Sequence, residues 1–143
     1  MTDWREQARE LAIQVLTQLD VQGDDFLPEI NPFIAESEFS EESKKLAKHL
    51  IDMTWSNRKQ CDEYIGQTVK HWQIQRIALI DRAILRLAIA ELLYRIDVPV
   101  KVVIDQAIEL AKKYSTSESP QFINGILDAI ARKIQEDKQE DKR

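Results

Sequence analysis

Between Ile80 and Ile134 the chain reads IDRAILRLAIAELLYRIDVPVKVVIDQAIELAKKYSTSESPQFINGILDAIARKI. The segment that opens this run, from about Ile74 to Ile96, constrains the fold most. Ile77, Ile80, Ile84, Leu87 and Ala88 recur at helical spacing along one side, and Leu85, Ile89, Leu92 and Leu93 widen the stripe to most of the circumference. A helix apolar on most of its sides is stable only when other helices surround it. The remainder of the chain must therefore supply those helices. Glu91 and Arg95 stand at i,i+4 on it, a spacing that supports a helix modestly.

Downstream, Asp97-Val98-Pro99 ends this helix, because the residue before proline avoids the helical region. A helix over about 102–114 follows, then a polar turn from Ser115 to Ser119. Ser119 is placed to cap the last helix, with Pro120 at its first position. Phe122, Ile123, Ile126, Leu127, Ile130 and Ile134 form the apolar side of that helix. Gly125 inside it costs about 1 kcal/mol relative to alanine, and close approach by a neighbouring helix would explain it. After Ile134 the sequence QEDKQEDKR has no apolar residue and is expected to fray.

Upstream, Ala8, Leu11, Ala12, Val15, Leu16 and Leu19 predict a first helix over about 3–20, with Asp3 as N-cap and Gly23 marking its end. From Asp24 to Phe39 a helical beat of Phe26, Leu27, Ile30, Phe33 and Ile34 is interrupted by Pro28 and Pro32, which predicts a short helix or irregular turns. Pro28 fits the first turn of a helix, where its missing N–H costs little. Ser40 caps a third helix, with Glu41 and Glu42 against its positive end and Leu46, Leu50, Met53 and Trp55 on its inner side. Another helical stretch covers about 61–71, with Tyr64, Ile65, Val69 and Trp72 apolar; the pattern leaves open whether it continues the third helix or breaks near Ser56-Asn57. Only three glycines and four prolines fall in 143 residues, with 31% charged, which suits an all-α chain of six or seven helices with short joints.

Several kinds of chemistry are excluded. Cys61 is the only cysteine, so no internal disulfide forms and no thiolate metal cluster is available. His49 and His71, the two histidines, have no ligand partner at helical spacing beyond ordinary acids, and no metal is expected. Cys61 and His71 lie ten positions apart, and Ser115, Ser117 and Ser119 have no histidine or Gly-x-Ser-x-Gly context, so nucleophilic catalysis has no basis. There is no glycine-rich phosphate loop, and Asp81 with Glu91 does not read as an acid–base pair. The expectation is a non-enzyme without a cofactor. No apolar run reaches the roughly twenty residues needed to span a bilayer, and the first residues lack a secretory pattern; a cytoplasmic protein is expected.

Net charge is −5, but the acids are unevenly spread. Asp24, Asp25, Glu29, Glu36, Glu38, Glu41 and Glu42 fall in a stretch between Asp20 and Lys44 with no lysine or arginine, and the rest of the chain carries about +2. A basic face elsewhere is compatible with this balance. Candidate nucleic-acid contacts are Arg5 and Arg9 on the first helix, Lys112, Lys113 and Tyr114 at the end of the penultimate one, and Gln121, Phe122 and Asn124 at the start of the last. Arginine and lysine meet phosphates, an aromatic ring stacks on an unpaired base, and Asn or Gln reads a base edge. The N–H groups opening the last helix add a phosphate-binding option. The plainer alternative is that Tyr114 and Phe122 are packing residues and that Lys112-Lys113 complements a helix C-terminus.

Asp81-Arg82-Ala83-Ile84-Leu85-Arg86-Leu87-Ala88, Glu91-Leu92, Pro99, Ala107-Ile108-Glu109-Leu110-Ala111-Lys112 and Phe122-Ile123-Asn124-Gly125-Ile126-Leu127-Asp128, in this order, resemble the signature half of the NusB transcription-antitermination family. A weaker likeness runs through Ala8-Arg9-Glu10-Leu11-Ala12 and Gln14-Val15-Leu16. The resemblance implies a compact all-α fold of about seven helices in two small packed bundles, over about 1–72 and 73–135, with 136–143 a charged flexible tail. It also implies a non-enzymatic factor that binds boxA-type leader RNA together with the ribosomal protein NusE, and works with RNA polymerase and other Nus factors on ribosomal RNA operons. Carried onto this chain, the RNA surface takes Arg5 and Arg9 with Lys112, Lys113, Tyr114, Ser119, Gln121, Phe122 and Asn124. The NusE-facing side takes Asp81, Arg82 and Glu91, whereas Arg86 reads as structural and Arg82 equally fits that role. The chain departs from the family where Glu6, Gln7 and Glu10 stand among the arginines, at Tyr114-Ser115 in place of Phe-Gly, and at Ala90 in place of an aromatic. A protein-interaction scaffold with weak or lost RNA binding is the alternative. NusB-like domains also precede RNA cytosine methyltransferase domains, but these 143 residues hold no such domain.

Overall fold

A computed structural model describes residues 3–69 and 74–141. Seven α-helices make up the described chain: α1 Trp4–Gln22, α2 Ile30–Ala35, α3 Glu41–Ser56, α4 Arg58–Thr68, α5 Leu79–Tyr94, α6 Val100–Tyr114 and α7 Ser119–Asp141. Short 3-10 turns cover Gly23–Glu29 and Ile74–Arg76.

α5 is the central helix. Every residue from Asp81 to Leu92 is buried on it, and it packs against α1, α3, α4, α6 and α7. α1 packs most extensively on α3, and α6 on α7. One apolar core runs through all of them, with Ile13, Leu19, Leu50, Ile65, Leu85, Ile89, Ile123 and Leu127 almost wholly enclosed. The division of the chain near residue 72, like His71 and Trp72 themselves, lies outside the described residues.

The local signals act as their chemistry dictates. Asp3 accepts the Arg5 N–H at 3.0 Å and caps α1. Ser40 accepts the Ser43 N–H at 3.1 Å and caps α3. Gly23 closes α1 at φ 66°, a conformation costly for any residue with a Cβ. Asn57 separates α3 from α4, which answers the question left open at Ser56-Asn57. Pro99 ends its joint with extended backbone and leads into α6.

Three expectations are revised. Pro32, not Pro28, occupies the first turn of an α-helix; Pro28 lies within the 3-10 turn before α2. Gly125 is exposed, and a Cβ built there meets nothing within 4 Å, so no helix approaches it closely. α7 continues through the charged segment to Asp141, and Tyr64 Oη on α4 donates to Asp137 Oδ2 at 2.8 Å. Mixed charge at i,i+4, such as Lys133–Asp137, sustains a helix that apolar patterning alone would end.

Candidate nucleic-acid interface

The apolar stripe of α1 faces α3 and α5, and this fixes the rest of the helix. Ser43 Oγ donates to the Trp4 carbonyl at 2.7 Å and ties the start of α1 to α3. Arg9 lies on the buried side with Ala12, Ile13 and Leu16. Its guanidinium forms a fork with Glu91, Nε to Oε2 at 3.1 Å and a terminal nitrogen to Oε1 at 2.9 Å. Arg95 donates to the same Oε1 at 2.9 Å. The Arg9 and Glu91 side chains are 5% and 2% exposed, so this trio clamps α1 to α5. Arg9 cannot reach a phosphate while it holds Glu91, and Glu91 cannot face a partner: both move from the proposed surface to its foundation.

A second clamp joins α1, α4 and α5. Arg82 Nε donates to Asp20 Oδ2 at 2.5 Å and a terminal nitrogen to the Ile74 carbonyl at 3.0 Å. Arg86 forks onto Asp62 through two bonds of 2.8 Å and lies 3.3 Å from Asp20. Arg82 is thereby buried and structural, as Arg86 was expected to be. Nearby, burial above all pushes the Cys61 thiol up to about 12, helped by the negative Asp62. The thiol points at the Arg86 carbonyl, 3.5 Å away.

The turn between α6 and α7 is pinned by Asp81, in the first turn of α5. Ser115 Oγ donates to its Oδ1 at 2.6 Å and Ser119 Oγ to its Oδ2 at 2.8 Å. Thr116 Oγ1 lies 2.9 Å from Ser119 Oγ, whose own proton serves Asp81. Asp81 and Ser119 are buried by this arrangement, so neither presents its polar group to a nucleic acid or partner. Ser119 is the first residue of α7 rather than the cap before it, with Pro120 second, and its hydroxyl bonds to Asp81 instead of to a backbone N–H of the helix.

With these clamps set, α6 runs beside α1. Glu6, Glu10, Gln106, Glu109, Leu110, Lys112 and Lys113 line a groove of about 340 Å³ between them. Gln106 donates to Glu6 at 3.4 Å, and Lys113 Nζ donates to Glu10 Oε1. That bond raises the Lys113 ammonium above its ordinary value. Lys113 also lies over the Tyr114 ring at 5.4 Å, and burial raises the Tyr114 hydroxyl. Lys112 is exposed and 3.4 Å from Glu109. Arg5 is exposed near the start of α1, stacked on Trp4 at 4.5 Å and 3.7 Å from Asp3.

The structure therefore brings Lys112, Lys113 and Tyr114 to the side of α1 that Glu6 and Glu10 occupy, with Arg5 at the end of the same helix. Gln121 and Asn124 are exposed on the opening turns of α7. Phe122 is half-buried and lines a second groove of about 210 Å³ with Arg76, Ile77, Ala78, Thr116 and Glu118. The acids of the groove were in plain view in the sequence, but only the α1–α6 approach joins Glu10 to Lys113. No helix of the described residues is long and apolar enough to cross a membrane.

The NusB family model matches residues 6–132. A transcription antitermination protein NusB from Symbiobacterium thermophilum is 40% identical, over 90% of this chain and 89% of its own. One from Anaeromyxobacter dehalogenans is 44% identical, over 92% of both chains. Among solved structures, T. maritima NusB superposes with a TM-score of 0.82 at 36% identity, covering 92% of this chain and 93% of that one. A structure described as antitermination factors NusB and NusE in complex with dsRNA superposes at 0.80 with 28% identity, covering 92% of this chain and 98% of the matched one.

Proposed function

This chain belongs to the NusB family, and we propose that it acts as a transcription antitermination factor that binds boxA-type leader RNA together with NusE and supports transcription of ribosomal RNA operons. The observation that carries this reading is the open α1–α6 groove lined by Lys112 and Lys113, with Tyr114 beside Lys113 and exposed Arg5 near the start of α1. Their chemistry suits an unpaired strand: cations for phosphates, a ring for a base. A relative solved as NusB and NusE in complex with dsRNA supports NusE and RNA as the classes of partner. RNA polymerase and other Nus factors complete the proposed elongation complex, joined by linked weak contacts that raise one another's effective concentration.

The roles divide by burial. Arg5, Lys112, Lys113 and Tyr114 meet RNA, and Gln121, Phe122 and Asn124 extend the surface along α7. Arg9, Asp81, Arg82, Glu91 and Ser119 hold the helices that present it. With few cations on the surface, NusE supplies much of the positive field, and the pair binds RNA better than either protein alone.

The test is titration of a boxA-type RNA with this protein, with and without NusE. The reading expects tighter binding with the partner, and loss of binding on Arg5→Glu with Lys112→Glu while helicity is retained. Equal affinities with and without NusE would count against it. The second reading, a scaffold with weak or lost RNA binding, is favoured by the acids that line the groove; it expects no RNA signal in any combination, with NusE still bound.

A further inference from the structure

The cations assigned to the RNA surface share a feature: each has an acid of this chain beside it. Arg5 has Asp3, Lys112 has Glu109, and Lys113 has Glu10. The first two acids are exposed and exchange freely with water, so such pairs are worth little. Glu10 differs. Its side chain is 9% exposed, held by the packing of α1, whereas that of Lys113 is 55% exposed. The carboxylate is thus fixed and the ammonium is free to choose its acceptor.

We propose that Glu10 is a built-in competitor for RNA phosphate, an autoinhibitory contact that withholds Lys113 until a strand displaces it. The inference rests on the RNA-binding reading and names how that surface is regulated. A phosphate entering the groove faces Glu6, Glu10 and Glu109 as well as the lysines. To take Lys113 it must break the Glu10 bond and leave a largely buried carboxylate without its ammonium. This exchange lowers affinity for any polyanion that offers charge alone. A ligand that also stacks on Tyr114, beside Lys113, recovers the loss through the ring. Glu10 therefore biases the site towards unpaired bases and against duplex backbone. Raising the Lys113 ammonium above its ordinary value is the same bond seen from the lysine.

The experiment is a double-mutant cycle of Glu10→Gln and Lys113→Met, read by titration of a single-stranded boxA-type RNA and of a duplex of equal length across a salt series. Glu10→Gln keeps the size and a hydrogen-bond acceptor but removes the charge. In the otherwise native chain it is expected to tighten single-strand binding about threefold, the scale of a half-exposed ion pair, and to tighten duplex binding by more. The single-strand salt slope steepens by about 0.7, as one more lysine releases a counterion. In the Lys113→Met background the same change is expected to have little effect. Equal gains in both backgrounds would show only a through-space charge and overturn the proposal, as would no gain with an unchanged slope. Thermal unfolding of each variant separates these results from misfolding. If the native chain binds no RNA, the parent reading fails on that result, and the gate stands only if Glu10→Gln alone creates binding.

Discussion

Replacing Glu91 with glutamine tests the clamp on which the whole α1–α6 face depends. Glu91 is the shared acceptor for Arg9 and Arg95, through contacts of 2.9 to 3.1 Å. Glutamine keeps one carbonyl oxygen but presents an NH₂ to the second arm of the Arg9 fork and carries no charge. Arg95 is 18% exposed and can turn to water. Arg9, almost wholly enclosed, cannot, so an arginine cation is left buried without its counter-charge. Removing one partner of such a pair costs about 3–5 kcal/mol. At about 2–4 °C per kcal/mol for a chain near this size, the melting temperature should fall by roughly 6–20 °C. Urea unfolding followed by circular dichroism should show a lower midpoint at an unchanged slope. The paired replacement Arg9→Met with Glu91→Leu should cost much less, because an apolar substitute of similar volume is often neutral. A Glu91→Gln variant within about 1 kcal/mol of the native chain would refute the reasoning. So would a double variant as unstable as the single one.

Further outcomes follow from the same geometry. Ser119→Ala removes one of two hydroxyl donors to buried Asp81 and should cost about 1–3 kcal/mol in chemical unfolding, with faster amide exchange across the α6–α7 turn. Gly125→Ala should stabilise the chain by about 0.5–1 kcal/mol, since the site is open, helical and free of positive φ; a loss of stability would reveal an approach the structure does not contain. Stability should be level up to the ordinary thiol value of 9.0 and decline as pH rises towards about 12, because the unfolded chain releases the Cys61 proton first and the folded chain holds it. Cys61→Ala should remove part of that alkaline decline, leaving the part due to Tyr64, whose hydroxyl is also pushed up to about 12 by burial and its bond to Asp137.

The order of helices was legible because its signals are local. Asp3, Ser40, Gly23 and Pro99 act through backbone geometry within a few residues, and α5 announced its central place by being apolar on most of its circumference. The same fact carried a consequence for charge. Asp81, Arg82, Arg86 and Glu91 sit on a helix with no open side, so they must be internal and paired. Arg9 shares the stripe of Ala12, Ile13 and Leu16 and follows the same logic. Placing Arg9, Asp81 and Glu91 on a contact surface took residue type over position, whereas Arg86 reads as structural from the sequence and Arg82 fits that role equally. What the sequence did not contain was the partner: Glu10 and Lys113 are 103 positions apart, and no periodicity links them. Pro28 fits a helical first turn as an isolated residue, but α2 begins two residues after it at Ile30, and Pro32 takes that place.

The most direct test of the central claim is amide hydrogen exchange of this protein with NusE, with and without a boxA-type RNA. RNA should slow exchange at about 5–10 and 110–116, the two helices that frame the groove. The acidic turn at 24–29 follows the far end of α1, about 28 Å of helix away, and should be unaffected. Protection confined to other segments, with the α1 and α6 sides of the groove unchanged, would contradict the account.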